Sequence, residues 1–203
     1  MRQGNRLTSK SGNFYRGFTL MELILTVALL AILAQLSLPA MDFHQRTEAD
    51  RVFMQLSALL TSARAHSIAT HSVTVICPSD GGSDCDSNWS AGAIAFADSD
   101  NNRQRSVDEA LIEFIDWTAG NHRQSSALRG TLLWRAFGNR QSIRIDELGL
   151  LNDQNGSFTW CPAAQTGHAA HQMVINSAGR IRLATDSNKD GQREDSQGRT
   201  LTC

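Results

Sequence analysis

The sequence lacks two common hydrolase motifs and the cysteine spacing typical of zinc sites. It has no HExxH motif and no nucleophile elbow, and its histidines form no metal-ligand or nucleophile pattern. Its four cysteines include no C-x2-C pair, which argues against a zinc site. No repeat with a period of 20 to 50 residues occurs, so a repeat architecture is not indicated. We therefore expect no enzymatic activity, no cofactor and no metal ion.

Lysine is scarce, and an excess of positive charge is missing. The 203 residues hold 19 basic and 20 acidic side chains, and residues 1–17 account for four of the basic ones and no acid. The remainder therefore carries 15 basic and 20 acidic residues, a net charge of −5. Since domains that bind nucleic acid through bulk charge are basic, such binding here requires a local patch. Arginine outnumbers lysine 17 to 2, which favours planar, bidentate contacts.

One long apolar stretch, residues 17–41, follows the basic leader. It contains a single charged residue, Glu22, and its length suits the ~20 residues that cross a bilayer as a helix. No A-x-A site follows it, as a cleaved secretory signal would require, so we expect the stretch to remain in the mature protein. The basic leader predicts a cytoplasmic N-terminus and a C-terminal domain across the membrane.

Three details of this stretch indicate a specific class of membrane protein. Gly17 precedes Phe18, and Glu22 lies in an apolar run where an ionisable group is usually functional. Pro39 lies within the helical pattern and is expected to kink or locally melt the helix. The combination resembles the class III signal of type IV pilins and type II secretion pseudopilins.

This resemblance implies how the N-terminus is processed and used. A prepilin peptidase is expected to cut between Gly17 and Phe18, and Phe18 is expected to be N-methylated. The helix would then leave the inner membrane and join a pilus among other major and minor pilins. Inside the filament, Glu22 is expected to pair with the new N-terminal amine of another subunit.

The helical pattern continues beyond the apolar stretch. Val52, Leu56, Leu59 and Ala63 follow one another at spacings of four, three and four, which predicts an amphipathic helix running to about His71. The chain thus divides into a leader (1–17), a transmembrane or filament-core helix (18–41), its amphipathic continuation (42–71) and a β domain with a C-terminal tail (72–203).

Eight short β-type runs follow the helix. They cover residues 72–77, 92–97, 111–115, 131–137, 142–146, 157–161, 171–177 and 180–185. Asn155-Gly156 is typical of a hairpin turn between the fifth and sixth runs, and 177–179 predicts a tight connection before the last. The expected fold class is α+β, with a long helix whose hydrophobic half protrudes and whose second half packs on an antiparallel sheet or sandwich.

The β domain carries further motifs that point to one group of pilins. They are Ile76-Cys77-Pro78-Ser79, Trp89-Ser90-Ala91-Gly92, Phe158-Thr159-Trp160-Cys161, Gly179-Arg180-Ile181-Arg182 and the terminal Cys203. Together they resemble the FimT/GspH group of minor pilins and pseudopilins. In the FimT branch, a GRxR motif near the C-terminus is associated with DNA binding in natural transformation. The alternatives are an H-type pseudopilin of a type II secretion system and a minor pilin that primes assembly without binding DNA.

The GRxR motif is chemically suited to a phosphate backbone. Gly179 supplies a turn, and Arg180 and Arg182 lie two residues apart on one face of a strand, so that each guanidinium can contact a phosphate of double-stranded DNA. Further candidate contacts are Lys189, Arg193 and Arg199 in the tail and Arg140 and Arg144 upstream. Tail acids weaken this field, so we expect weak, salt-sensitive and sequence-independent binding.

All four cysteines lie beyond the apolar stretch, which suits an oxidising compartment and two disulfides. A Cys77–Cys85 bridge would close a short loop, and a Cys161–Cys203 bridge would pin the C-terminal tail to the sheet. The other two ways of pairing the cysteines remain open from the sequence alone.

Two acidic loops approximate a twelve-residue calcium loop. The first contains Asp98, Asp100, Asn102 and Glu109, with Arg103 where the turn needs glycine. The second contains Asp186, Asn188 and Asp190 before Gly191, with Gln197 in place of the final acid. Because each loop departs from the pattern, we expect solvated turns in both.

Overall fold

The computed structural model describes residues 19–117, 128–151, 155–163 and 170–203, with only the backbone for 34–47. Gly17 and Phe18 lie outside the described residues. The described elements are α1 (Leu20–Thr70), β1 (Thr74–Pro78), β2 (Gly92–Ala97), β3 (Leu111–Asp116), β4 (Gly130–Ala136), a 3₁₀ turn (Phe137–Asn139), β5 (Ile143–Ile145), β6 (Gly156–Pro162), β7 (His171–Ile175) and β8 (Ile181–Leu183). Residues up to Met41 form one compact unit and Asp42–Cys203 form a second.

Helix α1 begins at a side-chain cap. The Thr19 Oγ1 atom accepts a hydrogen bond from the backbone N–H of Glu22 at 3.3 Å, and the pair has the T-x-x-E spacing of a capping box. The large apolar side chains from Leu20 to Leu33 are exposed in the isolated chain. Glu22 is exposed as well, and its carboxylate lies in the first turn, where negative charge favours the helix.

The predicted membrane segment is described only in part. Within the described residues, no helix combines the length and apolarity needed to cross a membrane. The backbone of α1 is helical through Pro39, and the side chains of 34–47 lie outside the described residues. The kink expected at Pro39 therefore stays a prediction.

The second half of α1 packs as its periodicity predicted. Val52, Leu56, Leu59 and Ala63 are all buried, in one core cluster with side chains from both β-sheets. The helix ends one residue before the predicted limit, at Thr70. His71 takes φ 48° and the N–H of Ser72 bonds to the carbonyl of Ser67 at 3.3 Å, which is a Schellman-type termination.

The strands form two antiparallel four-stranded sheets, and each of the eight predicted runs overlaps an observed strand. The first sheet has the order β3-β2-β1-β5, and the second has the order β4-β6-β7-β8. Strands β1 and β2 are buried on both faces. Side chains of α1 and the second sheet cover one face, and Cys85 and Phe114 help to cover the other. The second sheet alternates buried and exposed residues, so one of its faces meets solvent. The expected α+β architecture is confirmed.

The hairpin predicted at Asn155-Gly156 is wrong. Strand β5 pairs with β1 in the first sheet, whereas β6 pairs with β4 and β7 in the second, so β5 and β6 are not neighbours. Asn155 instead extends the β4–β6 ladder, since its carbonyl accepts the N–H of Phe137 at 3.0 Å. The dipeptide favours a turn locally, but the pairing of β6 with the distant strand β4 decides its conformation.

Candidate nucleic-acid interface

The Gly179-Arg180-Ile181-Arg182 motif forms the β7–β8 hairpin at the edge of the second sheet. The N–H of Gly179 bonds to the carbonyl of Asn176 at 2.8 Å, and the Asn176 Oδ1 atom accepts the N–H of Arg180 at 2.8 Å. Gly179 has φ 73°, a conformation that glycine adopts without steric cost. The tight connection expected over 177–179 is therefore confirmed.

Gly179 also leaves room for a side chain of the helix. The Arg64 Nε atom donates to the carbonyl of Gly149 at 2.8 Å, and its guanidinium lies against Gly179. A Cβ atom on Gly179 would stand 2.7 Å from Nη1 of Arg64. The glycine of the motif thus joins the hairpin to α1, a structural role that the sequence alone did not indicate.

The solvent face of the second sheet carries Arg182 in a row with residues of the other three strands. Arg182 pairs with Val174, Val174 with Ser157, and Ser157 with Arg135. Arg135 and Arg182 thus lie on the same face, three strand spacings or ~14 Å apart. The alternation of Trp134 inward and Arg135 outward was readable from the sequence, but the register that aligns Arg135 with Arg182 was not.

We call this row and the adjacent Arg180 the basic sheet face; it comprises Arg135, Ser157, Val174, Arg180 and Arg182. None of the four strands contains an aspartate or glutamate. All three arginines are exposed, and in the described part of the chain no side chain or carbonyl pairs with their guanidinium groups. As far as the described residues show, the basic sheet face therefore offers three planar, bidentate donors to an anionic surface.

The tail cations predicted as further contacts are mostly engaged elsewhere. Arg193 is half-buried and its Nη1 atom donates to the carbonyl of Ala184 at 2.9 Å. Arg199 forms an ion pair with Asp195 at 2.7 Å, and the hydrogen bonds from Arg199 and Gln197 lower the pKa of the Asp195 carboxyl. Lys189 is exposed in the loop after β8. Of these three cations, Lys189 alone remains available without breaking a described contact.

The structure brings the two upstream arginines beside Arg103. Burial lowers the pKa of the Arg103 guanidinium, and the like charges of Arg140 and then Arg144 lower it further. Arg103 and Arg140 line a surface pocket of about 280 Å³ next to the Cys77–Cys85 bridge. Arg144 donates to the Asn101 Oδ1 atom at 3.0 Å. The sequence does not indicate this second basic cluster, because Arg103 lies 37 or more positions from Arg140 and Arg144, within an acidic loop.

Both disulfides considered from the sequence are present. Cys77 and Cys85 are joined across eight positions, and Cys161 and Cys203 across 42, each with Cα atoms 5.6 Å apart. The second bridge connects β6 to the last residue and so holds the tail after β8 on the second sheet.

Comparison with known families agrees with this architecture. The family described as Type II transport protein GspH matches residues 53–179, and the prokaryotic N-terminal methylation motif matches residues 13–34. A long helix, antiparallel sheets and this N-terminal motif define a pilin-like subunit. Specifically, the chain belongs to the GspH family and is a GspH/FimT-like type IV minor pilin or pseudopilin.

Two solved structures similar to the chain are crystal forms of the type IV minor pilin FimU of Pseudomonas aeruginosa strain PAO1. In space group P21 it is 19% identical with a TM-score of 0.48, over 70% of this chain and 92% of FimU. In space group P65 it is 18% identical with a TM-score of 0.44, over 67% and 92% respectively. No curated protein matches the chain.

Family membership indicates what kind of protein the chain is, what it contacts and where it is located. Members are structural subunits and are not known as enzymes. The methylation motif implies contact with a prepilin peptidase and with other pilins, and anchoring in the inner membrane before entry into a filament.

Proposed function

We propose that this minor pilin binds double-stranded DNA through the basic sheet face and serves natural transformation. The observation that carries the proposal is the exposed set Arg135, Arg180 and Arg182, whose guanidinium groups have no partner among the described residues, on a face whose strands contain no acid. The contacts would be to phosphates, so the binding is independent of sequence and weak for a single subunit. Several subunits in one filament would raise the apparent affinity.

The proposal predicts a large effect of the motif arginines on DNA binding. We expect Arg180→Ala/Arg182→Ala to weaken binding of a DNA duplex about tenfold or more, because two charge-assisted phosphate contacts are lost. We also expect the slope of log K against log salt to fall by about 2, one for each contact. A mobility shift with the full chain in neutral detergent, repeated over a salt series, measures both.

A matched control separates the motif from general charge. Arg140→Ala/Arg144→Ala also removes two positive charges, but from the cluster around Arg103. It should leave DNA affinity nearly unchanged. Arg135→Ala should cost about one unit of the salt slope. If the wild-type chain binds no DNA, or if the control double variant loses more affinity than the motif variant, the assignment to the basic sheet face is wrong.

The alternative is an H-type pseudopilin of a type II secretion system. The observation that favours it is the family description itself, which is that of a type II transport protein. In that function, as in a pilin that primes assembly without touching DNA, Arg180 and Arg182 are solvated residues of an edge strand. The two readings predict opposite results in the same mobility shift.

We further propose that the chain is cut between Gly17 and Phe18, that Phe18 is N-methylated, and that Glu22 pairs with the amine of a neighbouring subunit. The matched methylation motif supports the cut, and the exposed position of Glu22 in the first turn supports the pairing. The C-terminal domain would then lie in the periplasm before assembly, and Pro39 would allow the helix to adapt within the filament.

For Glu22→Ala we expect normal cleavage but loss of most of the chain from filaments. The carboxylate contributes nothing to the peptide bond that is cut, whereas its absence leaves the amine of the neighbouring subunit unpaired in an apolar environment. Mass spectrometry of the N-terminus reports cleavage, and immunoblots of sheared filaments report incorporation. Glu22→Gln serves as the matched control, since it keeps the size but not the charge. Because Glu22→Gln lacks the charge, it should be lost from filaments as well, and normal incorporation of either variant would exclude the charge pairing.

A further inference from the structure

We propose that the loop after β8 binds a calcium ion through Asp186, Asn188, Asp190 and Glu194. The carboxylates of Asp186, Asp190 and Glu194 each place one oxygen within 4.8 Å of the others. No described cationic side chain forms an ion pair with any of the three. Three carboxylates brought together without a counter-charge repel one another, and a divalent cation relieves that repulsion.

Glu194 supplies the independent indication of a ligand. Its side chain is only 5% exposed, yet its buried Oε1 atom has no hydrogen-bond partner in the described part of the chain. The other oxygen, Oε2, accepts the N–H of Ser187 at 2.8 Å. A buried carboxylate oxygen without a partner is costly, because it has lost water and gained nothing. A cation among the three carboxylates would coordinate that oxygen.

The backbone holds Glu194 in this position. It bridges Thr185 on one side and Thr200 on the other, and its N–H bonds to the carbonyl of Thr185 at 3.1 Å. The oxygen is therefore fixed by two strand-like pairings rather than by a mobile loop. Sequence reasoning missed Glu194, because the mismatch at Gln197 drew attention to the twelfth position of the loop instead of the ninth.

The first half of the loop is arranged around the carboxylate of Asp186. Its two oxygens accept the N–H groups of Lys189 at 2.6 Å and Gly191 at 2.9 Å. Gly191 takes φ 87°, which the sixth position of a calcium loop requires. The spacing Asp186-x-Asn188-x-Asp190-Gly191 places oxygen ligands at positions one, three and five, and Glu194 at position nine.

The donor set selects calcium among common metals. All the candidate ligands are oxygens, which suits a hard cation and argues against zinc or copper, which prefer nitrogen and sulfur. The loop provides too many protein oxygens for magnesium, which keeps most of its waters. Because Gln197 replaces the bidentate glutamate, we expect a dissociation constant of about 10⁻⁴–10⁻³ M, the range of extracellular modules.

The 98–109 loop provides an internal contrast. Asp98 accepts the N–H groups of Asn102 and Arg103, and both oxygens of Glu109 accept N–H groups, from Ser99 and Ser106. Burial raises the pKa of Asp98, with a further rise from Glu109. Burial also acts to raise the pKa of Glu109, but the hydrogen bonds from Ser106 and Ser99 outweigh it and lower that pKa overall. The carboxylates of Asp98, Asp100 and Glu109 also place oxygens within 4.8 Å of one another, but the buried oxygens of Asp98 and Glu109 all accept hydrogen bonds, so the second indication found at Glu194 is missing here.

A cation in the 186–194 loop would stabilise the tail. Beyond β8 the tail has two isolated bridges, the Cys161–Cys203 bond and a small apolar cluster of Ala170, Ala184 and Leu201. Coordination would join Asp186, next to β8, to Glu194 in the middle of the tail. The positive charge of the bound cation would also offset the negative charge of the tail acids, which come after Arg182 in the sequence.

Calcium titration of the full chain in detergent tests the site without DNA. We expect one calcium ion per chain by calorimetry and a rise in Tm of about 3–6 °C in about 10 mM calcium, with little change in equal magnesium. We also expect calcium to slow tryptic cleavage after the exposed Lys189, because the loop must open to enter the protease.

Two variants and a control locate the site. Glu194→Gln and the exposed Asp190→Asn should each lose the calcium-dependent rise, while Asp100→Asn in the 98–109 loop should keep it. Glu194→Gln should fold at least as well as the wild type without calcium, since it removes a buried charge from an acidic cluster. The proposal fails if the wild type shows no calcium-specific response, if both tail variants retain it, or if Asp100→Asn abolishes it.

Discussion

Cys161→Ala/Cys203→Ala should lower the free energy of unfolding by about 4 kcal/mol, the largest effect of any change considered for this chain. The bridge spans 42 positions, and in the chain-entropy view a longer closed loop removes more freedom from the unfolded state. Without it, the segment after β8 keeps two isolated bridges and a three-residue apolar cluster. Urea unfolding of the oxidised wild type and the variant measures the difference.

The second disulfide is the matched control. Cys77→Ala/Cys85→Ala opens a bridge across eight positions and should cost about 2–3 kcal/mol. The motif arginines lie on a hairpin held by the β7–β8 pairing, so we expect DNA affinity under folding conditions to change little in either variant. Equal losses of stability for the two bridges would contradict the loop-length explanation.

Gly179→Ala should lower the free energy of unfolding by about 2–3 kcal/mol, although the glycine is not itself a DNA contact. Alanine at φ 73° costs about 1–2 kcal/mol, and its Cβ atom would displace the Arg64 guanidinium from its hydrogen bond to Gly149. Thermal or urea unfolding reports the sum of the two costs.

A double-mutant cycle separates the two costs. In an Arg64→Ala background the Gly179→Ala change should cost only the backbone part, so the coupling between the two positions is about 1 kcal/mol. Gly198→Ala is the control for the backbone part, since Gly198 has φ 76° and no atom lies within 4 Å of the added Cβ. If Gly179→Ala costs no more than Gly198→Ala, the contact with Arg64 contributes nothing.

The helix and the strands were largely predictable from the sequence, because both depend on local periodicity. Val52, Leu56, Leu59 and Ala63 mark the buried face at helical spacing, and each β-type run overlaps an observed strand. The prediction of a hairpin at Asn155-Gly156 was wrong because strand pairing is not a local property. A dipeptide favours a turn, but it does not say which strands pair, and β5 and β6 lie in different sheets.

Some features of the candidate site could likewise be predicted from the sequence, whereas others required the structure. The GRxR motif and its overlap with a strand-like run were visible in the chain, and so were Asp186, Asn188 and Asp190 of the tail loop, but not the part played by Glu194. Three facts needed the sheets to be assembled: Arg135 aligns with Arg182, Arg140 and Arg144 lie with Arg103, and Arg64 packs on Gly179. Each joins residues more than 30 positions apart, where no local pattern carries information.

The sequence by itself determined the class of this protein, because a glycine, a phenylalanine and a glutamate at fixed spacing before an apolar helix form a local signal. Only the tertiary structure decided which charges are free to act. It engages Arg193 with Ala184 and pairs Arg199 with Asp195. Among the residues that the structure describes, it leaves the arginines of the basic sheet face and a buried oxygen of Glu194 without a partner. The reason is physical: the availability of a charge depends on its neighbours in space, and these are set by strand pairing and burial.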